Sequence, residues 1–222
     1  PFMGVSANGC HTNVSLWKGG ELKCTPIGND PLPGMEQVFT HISGGENMFM
    51  PDPKIDEVKP GPVGLQSIAG LLKHLPALTC LGSPTVNSYR RLWDTGFWAP
   101  VYADWGYQNR TCSVRVSAPG RVEYRSVDSS HNPYLMGAGI LKAFEDGLDN
   151  KMDPGEPEKK NIYDAMKEGK EVDKLPLTLG EAIQRLESDD VVRSALPEDM
   201  LRVFMHYKKD EWEKFLSAVT QW

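Results

Sequence analysis

The chain has 222 residues, 40% hydrophobic and 24% charged, with a formal net charge of −6. This suits one or two ordinary domains with a sizeable core and argues against nucleic acid or an anionic membrane as partner. No apolar run reaches membrane-spanning length and no signal peptide is visible, whereas an anionic small substrate stays open because arginines can be concentrated locally. The cysteines Cys10, Cys24, Cys80 and Cys112 form neither a CxxC pair nor a metal-ligand spacing, so free thiols in a cytoplasmic protein are expected. The chain begins at Pro1 without an initiator Met and runs almost at once into a site-like strand, which reads as a fragment.

The first element is VSANGCHTNVSLW, Val5 to Trp17. Side chains of a strand alternate, so His11, Asn13 and Ser15 share one face while Thr12, Val14 and Leu16 face the other way. One side looks like a core wall and the other like the floor of a site. VSLWKGGELKC reads as a hairpin turning at Gly19-Gly20. From Thr25 to Gly64 the chain is rich in Pro and Gly, an irregular excursion of the kind that tends to be functional.

Leu65, Ile68, Ala69, Leu72 and Leu75 recur at helical spacing, with His74 beside the stripe as a hydrogen-bonded core histidine. TCSVRVS and GRVEYRSVD alternate as strands. Asn132 caps a helix that opens with Pro133. The acidic stretch from Lys151 to Lys174 is expected to be a solvated loop with a short helix. Thr178 and Glu181 form a capping box, and Leu201, Phe204, Trp212, Phe215 and Leu216 form the apolar side of a final amphipathic helix. Strands early and helices late predict an α+β domain with an antiparallel sheet and flanking helices.

The chemistry is carried by arginines: Arg90, Arg91, Arg110, Arg115, Arg121 and Arg125 fall within one region. Alternation places Arg121, Glu123 and Arg125 on one strand face, and Thr111, Ser113 and Arg115 on another. A single such spacing is most simply a surface ion pair worth under about 1 kcal/mol. Guanidinium groups gathered from several strands without matching carboxylates instead call for a phosphate or carboxylate. His11 and Glu123 then become candidate ligands of Mg²⁺ or Mn²⁺, a nitrogen and an oxygen suited to an ion bridging phosphates.

NGCHTNVSLW, GLLKHLPALT followed by PTVNSYRRL, NRTCSVRV, GRVEYRSVDSSHNPYL and KNIYDAM resemble, in order and spacing, the carboxyl-terminal catalytic half of glutamine synthetases. The resemblance covers residues 1–222 apart from the excursion of 25–64. It implies the glutamine synthetase catalytic fold, with the family's amino-terminal β-grasp domain missing from this chain. It also implies ATP-dependent amide formation on glutamate through a γ-glutamyl phosphate, with ATP and Mg²⁺ or Mn²⁺ required.

By the same resemblance, Asn13, Ser15, Arg115 and Arg121 contact the nucleotide, and His11 and Glu123 hold the ion between ATP and glutamate. Arg91 and Arg125 clamp glutamate, whose site Ser6 and Ala7 line through their backbone, and Arg110 faces the transferred phosphate. Tyr163 stands in the loop around the tyrosine that bacterial members adenylylate; a purely structural tyrosine is expected here. The family's ring assemblies imply a homo-oligomer, expected to be a dodecamer.

This chain departs from the family pattern at two places. Ser6-Ala7 replaces the usual Asn-Gly. Trp98 falls where the family has a flap glutamate that binds and deprotonates ammonium, unless the alignment slips and Asp94 or Asp104 serves. The extended excursion and the pattern around Trp98 look most like γ-glutamylmethylamide synthetases, which join glutamate to methylamine. The expected activity is therefore a glutamate–methylamine ligase. The alternatives are an ordinary glutamine synthetase using ammonia, and a non-catalytic structural relative, which the intact histidine, glutamate and arginine positions disfavour.

Overall fold

The computed structural model describes residues 9–26, 37–51, 58–92 and 99–219. In chain order the strands are β1 (Thr12–Val14), β2 (Trp17–Lys18), β3 (Glu21–Pro26), β4 (Gln37–Ser43), β5 (Glu46–Asn47), β6 (Trp105–Tyr107), β7 (Val114–Ala118) and β8 (Arg121–Tyr124). The helices are α1 (Pro62–Gly82), α2 (Pro133–Asp149), α3 (Ile162–Lys167), α4 (Leu179–Glu187), α5 (Asp190–Arg193) and α6 (Glu198–Ser217), with a 3-10 turn at Ser88–Arg91.

The central sheet has the order β1-β8-β7-β6. Alternation divides its two faces. Val114, Val116, Val122 and Tyr124 are fully buried behind it, while Asn13, Glu123 and Arg115 stand in register across three strands on the other face. The β1–β8 and β7–β8 pairs are antiparallel as expected, but β6 runs parallel to β7 at the sheet edge. Only residues 108–113 separate those two strands, so the chain must reverse sharply after β6. Gln108 makes that reversal with φ at 50°, a left-handed conformation uncommon outside glycine.

Behind the sheet lies the helical layer. Ile68, Leu71, Leu75 and Leu78 of α1 pack with Met136, Ile140 and Phe144 of α2 in the apolar core. The two helices touch backbone to backbone. A Cβ at Gly70 would come within 2.0 Å of the Ala143 carbonyl oxygen, and one at Gly147 within 2.2 Å of the Gln66 carbonyl oxygen. The expected caps form: Asn132 accepts from the backbone N–H groups of Tyr134 and Leu135, and Thr178 accepts from Glu181. Glu181 reaches back one residue further than a capping box requires, to the N–H of Leu177.

His74 is the hydrogen-bonded core histidine expected from its spacing. It is 3% exposed, with Nδ1 2.7 Å from Asp189 and Nε2 2.8 Å from Asp146. It thereby joins α1 to α2 and to the start of α5.

Other expectations are corrected. Gly19-Gly20 does not turn a hairpin. β2 pairs with β5 and β3 with β4, in one continuous register from Trp17↔Asn47 to Lys23↔His41. The result is a single long antiparallel arm, so the excursion of 25–64 is ordered where it contributes β4 and β5. Gly19, Gly20, Gly44 and Gly45 all have positive φ where the two strands pass, and a Cβ on Gly45 would meet the Gly19 carbonyl oxygen at 2.7 Å. Two facing glycine pairs therefore bend the ribbon rather than end it.

The stretch from Lys151 to Lys174 is not simply solvated. Glu158 is buried, its N–H donates to the Trp105 carbonyl, and its carboxylate lies 2.6 Å from Lys170. On α6, Phe215 and Leu216 are 47% and 63% exposed, so the expected apolar side does not close on this chain. No described helix is long and apolar enough to cross a membrane.

Candidate active site

Three side chains, those of His11, Arg115 and Arg125, meet Glu123 on the open face of the sheet. Asn13, Glu123 and Arg115 share a cross-strand row, and His11, two residues before Asn13, reaches the same face. Glu123 Oε1 lies 3.3 Å from His11 Nδ1. Its Oε2 accepts from Arg115 Nη1 at 3.0 Å and from Arg125 Nη1 at 3.2 Å. Arg91 Nη2 donates to the Arg125 carbonyl at 2.9 Å. Gly9 keeps this corner open, since a Cβ there would stand 3.1 Å from His11 Nε2 and 3.3 Å from Arg91 Nη2.

One carboxylate thus serves two guanidinium groups, and donors remain. Among the described residues, Arg91 Nη1, Arg115 Nε and Arg125 Nε are buried without a hydrogen-bond partner. Leaving buried charged donors unmatched is costly, so the arrangement is built to accept an anion. The electrostatics agree. Burial lowers the pKa of Arg91 and Arg125, and Arg115 and Arg110 push that of Arg125 further down. Glu123 is held below the usual carboxylate range because Arg125 and Arg115 outweigh the effect of its burial. Burial, and then the charge of Arg125, lowers the His11 pKa against the pull of Glu123, leaving a neutral imidazole with a lone pair to share.

A cation also fits between His11 and Glu123. His11 would supply a nitrogen and Glu123 a carboxylate oxygen, 3.3 Å apart, a donor pair suited to a divalent ion. The described residues hold no group of three or more metal-ligating side chains, so an ion here would need further ligands from elsewhere.

The remaining expected residues fall around this centre. Arg121 is exposed at the start of β8, and its Nε donates to Ser117 Oγ at 3.2 Å. Ser117 in turn lies 3.5 Å from Asn13 Oδ1, so Arg121 and Asn13 belong to one polar end of the sheet. Ser15 accepts from the Trp17 indole at 3.0 Å. Arg110 is exposed on the reversal before β7, close enough to Arg125 to act on its charge. Arg90 is the arginine that leaves the cluster; it lines a separate apolar hollow with Tyr89, Leu179 and Trp212. Thr111 and Ser113 do not face the anion site either. Thr111 accepts from Ile162 N–H, and Ser113 bonds to the Tyr102 carbonyl.

Ser6, Ala7, Trp98 and Asp94 lie outside the described residues. Asp104 is committed elsewhere: one oxygen accepts from Trp105 N–H and the other lies 2.6 Å from Lys170. The Tyr163 hydroxyl donates to the Ala99 carbonyl at 3.2 Å, and its ring packs edge-on against Tyr102, which favours a structural role. Sequence reading missed Ser117 and Gln108. Ser117 follows the alternation of β7 from Arg115 and could have been found. Gln108 sits off the strands at positive φ, where alternation has no meaning.

The glutamine synthetase catalytic domain model matches residues 1–222. The chain is 39% identical over its whole length to a glutamine synthetase of Pyrococcus furiosus, covering 45% of that protein. It is 40% identical over 98% of its length to one of Archaeoglobus fulgidus, covering 41% of it. It spans less than half the length of these relatives. Among solved structures it resembles apo GmaS, with a TM-score of 0.79, 32% identity and coverage of 100% of this chain and 45% of that one. A GmaS/ADP complex gives a TM-score of 0.80 at 32% identity, covering 100% of this chain and 46% of that one. With the catalytic-domain model spanning every residue around Glu123, the chain belongs to the glutamine synthetase catalytic domain family.

Proposed function

We propose that this chain is the catalytic half of an ATP-dependent ligase that joins glutamate to a small amine, with methylamine preferred. The observation that carries the reading is the constellation of His11, Glu123, Arg91, Arg115 and Arg125, whose three arginines each keep one buried guanidinium nitrogen without a partner among the described residues. In this reading Asn13, Ser15, Arg115 and Arg121 bind ATP, and Arg91 and Arg125 clamp glutamate beside the backbone of Ser6 and Ala7. His11 and Glu123 hold Mg²⁺ or Mn²⁺. The ion supplies positive charge against the phosphates. A γ-carboxylate oxygen of glutamate attacks the γ-phosphorus of ATP, and ADP leaves. Arg110 faces the phosphoryl group in transit, where negative charge spreads over its oxygens. The amine nitrogen then attacks the acyl carbon, the carbon–oxygen bond to phosphate breaks, and nitrogen loses a proton. Phosphate departs with the former carboxylate oxygen.

Methylamine rests on Trp98. An indole in place of a flap carboxylate cannot accept a proton from ammonium. Methylamine is more basic than ammonia and arrives neutral less often, so contact must supply the preference. Burying one methyl group is worth about 0.8 kcal/mol, and a cation over an indole face adds roughly 0.5–2 kcal/mol. Together these support roughly ten- to hundredfold in kcat/KM. The likeness to GmaS structures is in keeping with this choice. A second reading, ligation of ammonia, is favoured by the names of the curated relatives at 35–41% identity. With Asp104 paired to Lys170, that reading must find its ammonium-binding acid elsewhere.

The reading includes a cytosolic homo-oligomer, a dodecamer by family resemblance. The open apolar side chains of α6 support assembly. The test is the initial rate of phosphate release by the full-length protein with ammonia, methylamine, ethylamine and putrescine side by side. Methylamine is expected to lead, and Trp98→Glu is expected to shift the ratio towards ammonia. A wild type that prefers ammonia, with a ratio indifferent to Trp98→Glu, makes ordinary glutamine synthetase the better reading.

A further inference from the structure

Arg115 is held from two sides. Its Nη1 donates to Glu123 Oε2 at 3.0 Å, and its Nη2 donates to Gln108 Oε1 at 2.6 Å. Gln108 is itself fixed: its Nε2 donates to the Ser117 carbonyl at 2.6 Å and its backbone N–H to the Val116 carbonyl at 3.0 Å. The residue lies exposed at the reversal between β6 and β7, with φ at 50°. Glycine or asparagine would adopt that conformation with less strain. A glutamine stationed there, with both ends of its amide bonded, points to a task for the side chain. The task is visible at the other end of the contact. With Nη1 and Nη2 each bonded, the guanidinium plane is set, and its buried Nε is left without a partner among the described residues.

We infer that Gln108 is a positioning residue that orients Arg115 toward the polyphosphate of the bound nucleotide. The inference rests on the nucleotide reading of the site proposed above. Glu123 alone would hold Arg115 by one N–H and leave the plane free to rotate about that bond. Gln108 adds a second, neutral acceptor, so the orientation is fixed without cancelling more of the positive charge. A carboxylate at 108 would also accept from Arg115, but it would lose the bond to the Ser117 carbonyl and neutralise the arginine. The side chain must therefore be an amide of this length. Asparagine suits the backbone and is one methylene too short.

The experiment uses the full-length protein with Gln108→Gly, Gln108→Asn and Gln108→Glu, each alone, and Gln108→Gly also combined with Arg115→Ala. ADP affinity is read by calorimetry, the KM for ATP by phosphate release, and folding by thermal melting. Gln108→Gly and Gln108→Asn should melt at or above the wild-type temperature, because the backbone strain is relieved. Both should weaken ADP binding and raise the KM for ATP roughly tenfold, the equivalent of one charge-assisted hydrogen bond, with a smaller change in kcat. Gln108→Glu should weaken binding at least as much. In the Arg115→Ala background, Gln108→Gly should add nothing, because its effect passes through Arg115. Wild-type ADP affinity in Gln108→Gly and Gln108→Asn, or additive losses in the double variant, would overturn the assignment. A wild type that binds ADP but releases no phosphate with any amine fails the proposed reaction and leaves the Gln108 comparison intact. A wild type that binds no nucleotide overturns both.

Discussion

Glu123 organises the site by being outnumbered. Its two oxygens meet His11, Arg115 and Arg125, and those arginines keep three buried N–H groups in hand together with Arg91. A carboxylate so placed stays ionised, holds the arginines apart in fixed positions, and leaves a surplus of positive charge for a substrate. Arg110 plays a different part in the proposed reaction, because it is exposed at the reversal before β7. A guanidinium free to meet the phosphoryl group only as charge develops acts on the transition state. Arg110→Ala is therefore expected to lower kcat by roughly 10²–10³-fold, with ADP affinity close to wild type. Steady-state kinetics with saturating glutamate and amine would check this, and a loss confined to the KM for ATP would place Arg110 on the ground-state nucleotide.

At the scale of elements, the site depends on how closely α1 and α2 pack behind the sheet. Gly70→Ala would drive a methyl group into the Ala143 carbonyl oxygen, 2.0 Å from the ideal Cβ position, and backbone cannot step aside as a side chain can. Thermal melting should register a loss of about 3 kcal/mol, or a fall of roughly 10 °C. Gly137→Ala supplies the contrast. It lies on α2 with open space around its Cβ, so alanine should stabilise by about 1 kcal/mol. Equal effects of the two substitutions would argue against the close crossing.

The same two helices are clamped by His74. Burial lowers its pKa, but the bonds to Asp189 and Asp146 prevail and raise it, while both carboxylates are lowered in turn. A raised histidine pKa stabilises fully below the unfolded value of about 6.5 and loses that stabilisation as pH rises through the folded pKa. The lowered aspartates act oppositely: they stabilise above about pH 4 and lose it as pH falls. Melting temperature should therefore decline from neutral to alkaline pH, and His74→Gln should flatten that decline. An unchanged slope in the variant would assign the pH dependence to other groups.

Much of this level was legible in the sequence. The 3.6-residue period of α1, the caps at Asn132 and Thr178, and the alternation that sets Asn13, Glu123 and Arg115 on one face all follow from local geometry. The arm was not legible. Gly19-Gly20 is a strong turn signal on its own, and only the facing Gly44-Gly45 pair, more than twenty residues on, lets the ribbon continue through it. Gln108 was hidden for a related reason: a residue at positive φ leaves the strand period, so its contact with Arg115 has no spacing to announce it.

At the scale of the molecule, strands bring His11, Arg115, Glu123 and Arg125 together while the helical layer fixes their backing. The 20-residue α6 buries no residue completely, and Met200, Val203, Tyr207, Phe215 and Leu216 remain exposed along it. The chain spans about 45% of the Pyrococcus furiosus glutamine synthetase it matches. In the proposed reaction this site makes an amide through an acyl phosphate. Oxygen tracing tests it directly. The full-length protein is supplied with glutamate carrying ¹⁸O in its γ-carboxylate, with ATP, magnesium and methylamine, and the released phosphate is analysed by mass. Each turnover should move one labelled oxygen from glutamate into inorganic phosphate. Phosphate released at the same rate without label, its new oxygen drawn from water, would contradict the account.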